Sequence, residues 1–221
     1  MTIAGFNTMS LLKVPYLPNT YFSDSIATIN YEFSKYVPCK LIYEPWQASV
    51  YKPDVAFNIA YGDNAVYLKF FVKEKYFRAE YKKINEPVYK DSCVEFFISL
   101  TDDRTYYNFE FNALGTALVA YGSSSERVQL PASVISQVKS LASHKTSYSD
   151  HLPFQWELTL AIPFDLFCAN SISTLNGTSC KANFYKCGDE LPEPHFLCWS
   201  NIIAPKPDFH LPQYFGDLIF I

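Results

Sequence analysis

A chain of 221 residues, 49% hydrophobic and 18% aromatic, has enough apolar material for one large core. Its formal net charge of -4 is spread without runs, which excludes the clustered basic face that a nucleic acid needs and a polybasic membrane anchor. No stretch approaches the roughly eighteen uninterrupted apolar residues of a membrane helix.

Met1 to Leu17 has one lysine, no continuous apolar block and no small-residue cleavage site. It is not expected to be a secretory signal peptide, which places the chain in the cytoplasm as written, with Met9 a second candidate start. Ser23 to Tyr36 carries the first helical pattern. From Asp54 to Tyr61 the period becomes two, with Val55, Phe57, Ile59 and Tyr61 on one face. Gly62-Asp63-Asn64 supplies turn residues, and Ala65 to Val72 completes a β-hairpin.

Asp91 to Leu100 is the next strand, with Val94, Phe96 and Ile98 on one side and Cys93, Glu95 and Phe97 on the other. After the polar turn Thr101-Asp102-Asp103-Arg104, Tyr107, Phe109 and Phe111 face inward, opposite Asn108, Glu110 and Asn112. Gly115 permits a reversal into Thr116 to Tyr121, so four or five sequential antiparallel strands are expected. Ser123 to Asp150 is the least periodic part and reads as loop, with a short helix from Pro131 to Lys139. Gln155 to Ile162 turns Trp156, Leu158 and Leu160 inward, and Pro163 to Phe167 fits one helical turn. Lys181 to Lys186, Phe196 to Trp199 and Leu218 to Ile221 are further short strands. The expected fold is all-β: one antiparallel β-sandwich domain over residues 1–221, jelly-roll or immunoglobulin-like, with one or two short helices.

Cys39, Cys93, Cys168, Cys180, Cys187 and Cys198 form no Cys-x-x-Cys pair, so no zinc knuckle or thioredoxin motif is supported. Free thiols are expected, with a disulfide among Cys180, Cys187 and Cys198 the alternative. His195 and His210 flank Asp189, Glu190, Glu193 and Asp208, a set that suits calcium better than zinc but reads first as solvated loop. His144 and His151 fall in the serine-rich loop and carry no signal. Asn176-Gly177-Thr178 is a glycosylation sequon that marks a turn. No nucleophile elbow, phosphate-binding glycine loop or His-Glu-x-x-His helix occurs.

Four segments together resemble carbohydrate-binding module family 9, particularly its stand-alone relatives. They are Asp91-Ser92-Cys93-Val94-Glu95-Phe96-Phe97-Ile98; Tyr107 to Asn112 with Gly115; Trp156-Glu157 with Ile162-Pro163-Phe164; and Ala182 to Lys186 through Trp199 to Phe215-Gly216-Asp217-Leu218. The resemblance covers roughly residues 50 to 221 and implies a β-sandwich that binds glucans, xylans or their sugars, often at the chain end, with structural calcium in some members.

The family's site clamps a sugar ring between two tryptophans, because the C–H face of a pyranose packs on aromatic rings while its hydroxyls need oriented partners. Carried onto this chain, Tyr89 and Phe209 stand at the two tryptophan positions, a departure that reduces stacking area. Glu95 matches a family carboxylate, Tyr185 replaces a polar amide, and Glu110 stands where a sugar-binding arginine would be. Asn183, Lys186 and Trp199 complete the implied ligand-binding set.

The function so implied is non-catalytic binding of a mono- or oligosaccharide on an aromatic surface. No cofactor is expected beyond an optional structural calcium. Nucleic acid and membrane are not expected partners, and an associated catalytic partner is unspecified. The rivals are a protein-interaction sandwich that has lost its sugar site, and a glycoside hydrolase using Glu95 and Glu110 as an acid pair.

Overall fold

Alternating apolar residues build two sheets whose inner faces meet across a shared core. The computed structural model describes residues 10–18, 25–46, 51–101, 104–145 and 153–221. In chain order the elements are β1 (Leu11–Val14), α1 (Ile26–Phe33), β2 (Cys39–Lys40), β3 (Asp54–Tyr61), β4 (Ala65–Glu74), β5 (Cys93–Ser99), β6 (Tyr106–Asn112) and β7 (Ala117–Gly122). They continue as β8 (Arg127–Gln129), α2 (Ala132–Ile135), β9 (Lys139–Lys145), β10 (Phe154–Pro163), β11 (Ser179–Cys187), β12 (Phe196–Cys198) and β13 (Gly216–Phe220).

The larger sheet runs β1-β13-β11-β5-β6-β7-β8 with β12 also paired to β11, and the smaller runs β2-β3-β4-β10-β9. Among the described residues the named strands pair antiparallel except β1 with β13. The expected β-sandwich is therefore the observed fold. The sequential reading differs in one respect: the β3–β4 hairpin belongs to the smaller sheet, and the chain crosses to the larger one before β5.

The core is a column of aromatic rings. Phe184 of β11 stacks on Phe57 of β3 across the sheets at 3.8 Å and on Phe96 of β5 at 5.0 Å. Each such ring contributes about 2–3 kcal/mol by leaving water. At one end of this interior a charged pair replaces hydrocarbon. Lys186 of β11 meets Glu74 of β4 at 2.9 Å, both fully buried. Lys186 Nζ also donates to the Cys187 carbonyl at 2.6 Å and faces His195 Nε2 at 2.8 Å, while Trp156 Nε1 donates to Glu74 Oε1 at 2.6 Å. Burial beside Lys186 pushes His195 down to about 3, so its ring is neutral and its Nε2 accepts.

Ile26, Ile29 and Phe33 lie on one stripe of α1 and cover Ala60, Tyr67 and Ala161 on the outer face of the smaller sheet. Ser23 and Asp24 of the expected helix lie outside the described residues, as do Met1 to Met9, Asp102, Asp103 and His151.

The region read as loop holds β8, α2 and β9. β9 is an edge strand paired only with β10 and mostly exposed, so its sequence Lys-Ser-Leu-Ala-Ser-His-Lys has little apolar alternation. His144 accordingly sits in a strand.

Two of the recognisable motif residues prove to be scaffold. Asp91 is fully buried, and its Oδ2 accepts from the backbone of Glu80 and Tyr81 and from Asn112 Nδ2. Asn112 Oδ1 in turn accepts from Leu114 and Thr116, closing the β6–β7 turn in which Gly115 has φ +83°. A Cβ there would meet Ser140 Oγ at 2.8 Å.

Candidate functional site

The face of the larger sheet turned away from the core is also buried, under the segment from Ile202 to Phe215. Phe97, Tyr106, Tyr185 and Phe215 form a second apolar cluster there. Where that cover stops, a cavity of about 520 Å³ opens, within the range of small-molecule sites. Its floor is Glu95 of β5, Asn108 and Glu110 of β6, Leu118 and Ala120 of β7, and Arg127 and Gln129 of β8. Tyr89, Cys187, Asp189, Phe196 and Pro207 to His210 make its walls.

Strand register explains the floor. Glu95 is paired directly with Glu110, so the two carboxyl groups rise side by side on one sheet face. Asn108 is two residues from Glu110 on that face, and its Nδ2 donates to Glu110 Oε1 at 2.9 Å. This leaves Asn108 Oδ1 and Glu110 Oε2 buried with no partner. Asn108 Oδ1 is an acceptor, and Glu110 Oε2 is one when its carboxyl is ionised.

Burial raises the proton affinity of these acids. Glu95 is held well above the ordinary carboxylate range by desolvation, reinforced by Cys187 and Glu110. Glu110 is pushed up to about 7 by desolvation, opposed by the Asn108 hydrogen bond and the Arg127 charge. Asp189 is raised by burial too. Arg127 does not point freely at the floor acids: its Nη1 donates to Tyr106 Oη at 3.0 Å and to the Ser124 carbonyl at 2.7 Å. Tyr106 Oη also meets His210 Nδ1 at 3.0 Å, and burial with Arg127 nearby lowers His210 to about 4.

The structure brings Tyr89, Glu95, Glu110 and Phe209 to this cavity. Tyr89 is 36% exposed and offers a ring to solvent, whereas Phe209 is only 9% exposed. One face of Phe209 is covered by Tyr185, stacked at 4.2 Å with a 12° interplanar angle, so Phe209 is a fixed wall and not an open platform.

The other sequence candidates do not line the cavity. Tyr185 supports Phe209, and its hydroxyl donates to the Phe209 carbonyl at 3.2 Å. Asn183 ties β11 to Ser200 through both the Ser200 amide and carbonyl. Lys186 faces the core on Glu74, and Trp199 packs against Phe57 and Phe184.

Asn108, Arg127, Cys187 and Phe196 were missed. For Asn108 the signal was present, since it shares a strand face with Glu110. Arg127 comes from the aperiodic region and had none. The acidic histidine-bearing segment forms no common ligand cluster among the described residues, because His195 belongs to the Lys186–Glu74 group and His210 to Tyr106.

Comparison with known proteins places this fold. The model of carbohydrate-binding family 9 matches residues 25–220, and the chain belongs to that family. It is similar to the crystal structure of a candidate carbohydrate-binding protein from Bacteroides uniformis ATCC 8492, with 36% identity and a TM-score of 0.87 over 97% of this chain and 100% of that one. A family 9 module from Caldicellulosiruptor kristjanssonii in complex with glucose shares the fold at 13% identity and TM-score 0.61, over 96% of each chain. The same holds for a family 9 module from that organism in complex with cellotriose, at 14% identity and TM-score 0.61, over 96% of this chain and 93% of that one. No curated protein matches the chain.

Proposed function

We propose that this member of carbohydrate-binding family 9 binds a mono- or oligosaccharide, without cleaving it, in the cavity over β5 to β8. The observation that carries the reading is the pair of buried acceptors without partners, Asn108 Oδ1 and Glu110 Oε2. Orphaned acceptors in a cavity wall cost about 1–3 kcal/mol each unless a ligand donates to them. Sugar hydroxyls are such donors, and the pyranose face can rest on Tyr89 while Phe209 bounds the far side. Family membership and the neighbours holding glucose and cellotriose favour the same class of ligand.

A hydrolase reading is less well supported. Glu95 and Glu110 meet any ligand from the same sheet face, side by side, whereas hydrolysis needs carboxyl groups flanking the scissile bond. Glu95 is also engaged by the Cys187 thiol at 3.1 Å.

Isothermal titration with glucose, xylose, cellobiose and xylobiose tests the reading. Saturable heat is expected with at least one sugar, weakened about tenfold or more in Glu110→Gln and Asn108→Ala. No heat with any sugar from a broad glycan panel overturns it.

A further inference from the structure

Beside the orphaned acceptors, the cavity holds a second group of side chains with a different chemistry. Cys93 of β5 lies directly opposite Cys187 of β11, and Glu95 follows two residues on along the same face. The two thiols and the Glu95 carboxyl lie within 4.8 Å of one another, all three residues buried. Cys187 Sγ lies 3.1 Å from Glu95 Oε1 and 3.5 Å from the Tyr89 carbonyl oxygen, with one thiol proton to share between them.

We propose that Cys93, Glu95 and Cys187 form a binding site for a thiophilic divalent cation of the zinc class, with its fourth position open to the cavity. Tetrahedral zinc with bonds of about 2.3 Å to sulfur and about 2.0–2.2 Å to oxygen sets its donors about 3.5–3.8 Å apart. The triad's donor atoms already lie within 4.8 Å of one another, on two paired central strands of the larger sheet. Two thiolates and one carboxylate favour zinc over calcium or magnesium, which take six or more oxygens.

The open position follows from placement. Glu95 and Cys187 line the cavity whereas Cys93 lies behind them, so an ion held by all three would face the space over Glu110 and Asp189. A water or a ligand hydroxyl would complete the shell there. Without metal the triad is proton-bearing: burial holds the Cys93 thiol at about 12, and Cys187 and Glu95 well above their ordinary values. A bound cation displaces those protons, so occupancy rises with pH. The charges felt by the triad are Glu110 of β6 and Asp189 after β11 on its own side, and Lys186 of β11 from the opposite face of the sheet.

The site does not depend on the sugar reading, and its test uses no sugar. The reduced full chain is titrated with cadmium, followed by thiolate-to-metal absorption in the ultraviolet, and dialysed against zinc before metal analysis. A saturable, stoichiometric absorption band and retained zinc are expected, both lost in Cys93→Ser and in Cys187→Ser, with calcium without effect. Circular dichroism checks that each variant is folded, and Glu95→Gln, which keeps both thiols, should keep the band but bind zinc more weakly. Absence of the band in the reduced parent chain overturns the proposal. So does equal zinc retention by the folded serine variants, or a Cys93–Cys187 disulfide that survives mild reductant.

Discussion

The two faces of the larger sheet are made by the same strands, and both are buried, yet they are buried by different means. The inner face carries Val94, Phe96, Ile98, Phe109, Phe111 and Phe184, sealed by the smaller sheet. The outer face carries Cys93, Glu95, Phe97, Asn108, Glu110, Tyr185 and Cys187, covered by an irregular segment that leaves a cavity at its margin. Sheet-on-sheet packing excludes nearly every polar group, whereas a loop cover tolerates carboxyl groups and orphaned acceptors at its edge. Apolar packing concentrates on the first face and buried polar groups on the second.

The sharpest way to test that division is to cut the inner face. Phe184→Ala should destabilise the fold by about 3–5 kcal/mol in chemical denaturation, because its stacking partners come from both sheets. Lys186→Met should cost about 3 kcal/mol by stranding Glu74, despite adding hydrocarbon. Phe209→Ala should cost less, about 2 kcal/mol, since its ring borders a cavity, while abolishing the sugar heat.

Glu110→Gln probes the outer face through pH. The folded state holds the Glu110 proton to about 7, against an ordinary 4.5, so its contribution is fully present below pH 4.5 and is lost as pH rises towards 7. Thermal melts should therefore show the parent losing stability across that window relative to the glutamine variant. At pH 8 the variant should be the more stable of the two. Tyr89→Ala is the smallest perturbation, within about 0.5 kcal/mol in stability, with its effect confined to sugar affinity.

The inner face was largely legible in the sequence, because period-two alternation in β3, β5, β6 and β10 reports burial against a flat partner. The outer face was not, since its cover is aperiodic: nothing local in Ile202 to Phe215 says which sheet it will lie on. Alternation placed Glu95 and Glu110 away from the core but could not say that both would be buried. Of the residues nominated by the motif match, Tyr89, Glu95, Glu110 and Phe209 line one cavity. It also nominated Asn183, Tyr185, Lys186 and Trp199, whose contacts are with the scaffold. Strand motifs preserve side chains for folding and for binding alike, and only cross-strand neighbours separate the two.

The charged group between the sheets has one more consequence. Apolar faces are non-directional, and two sheets in contact through phenylalanines could settle in several offsets of similar energy. Lys186 spends all three of its protons on fixed acceptors, the Glu74 carboxylate, the Cys187 carbonyl and His195, while Glu74 is also held by Trp156 from a neighbouring strand. Any sliding of one sheet over the other strands an ammonium or a carboxylate in hydrocarbon. The pair therefore acts as an alignment pin, favouring one lateral position of the two sheets over its neighbours.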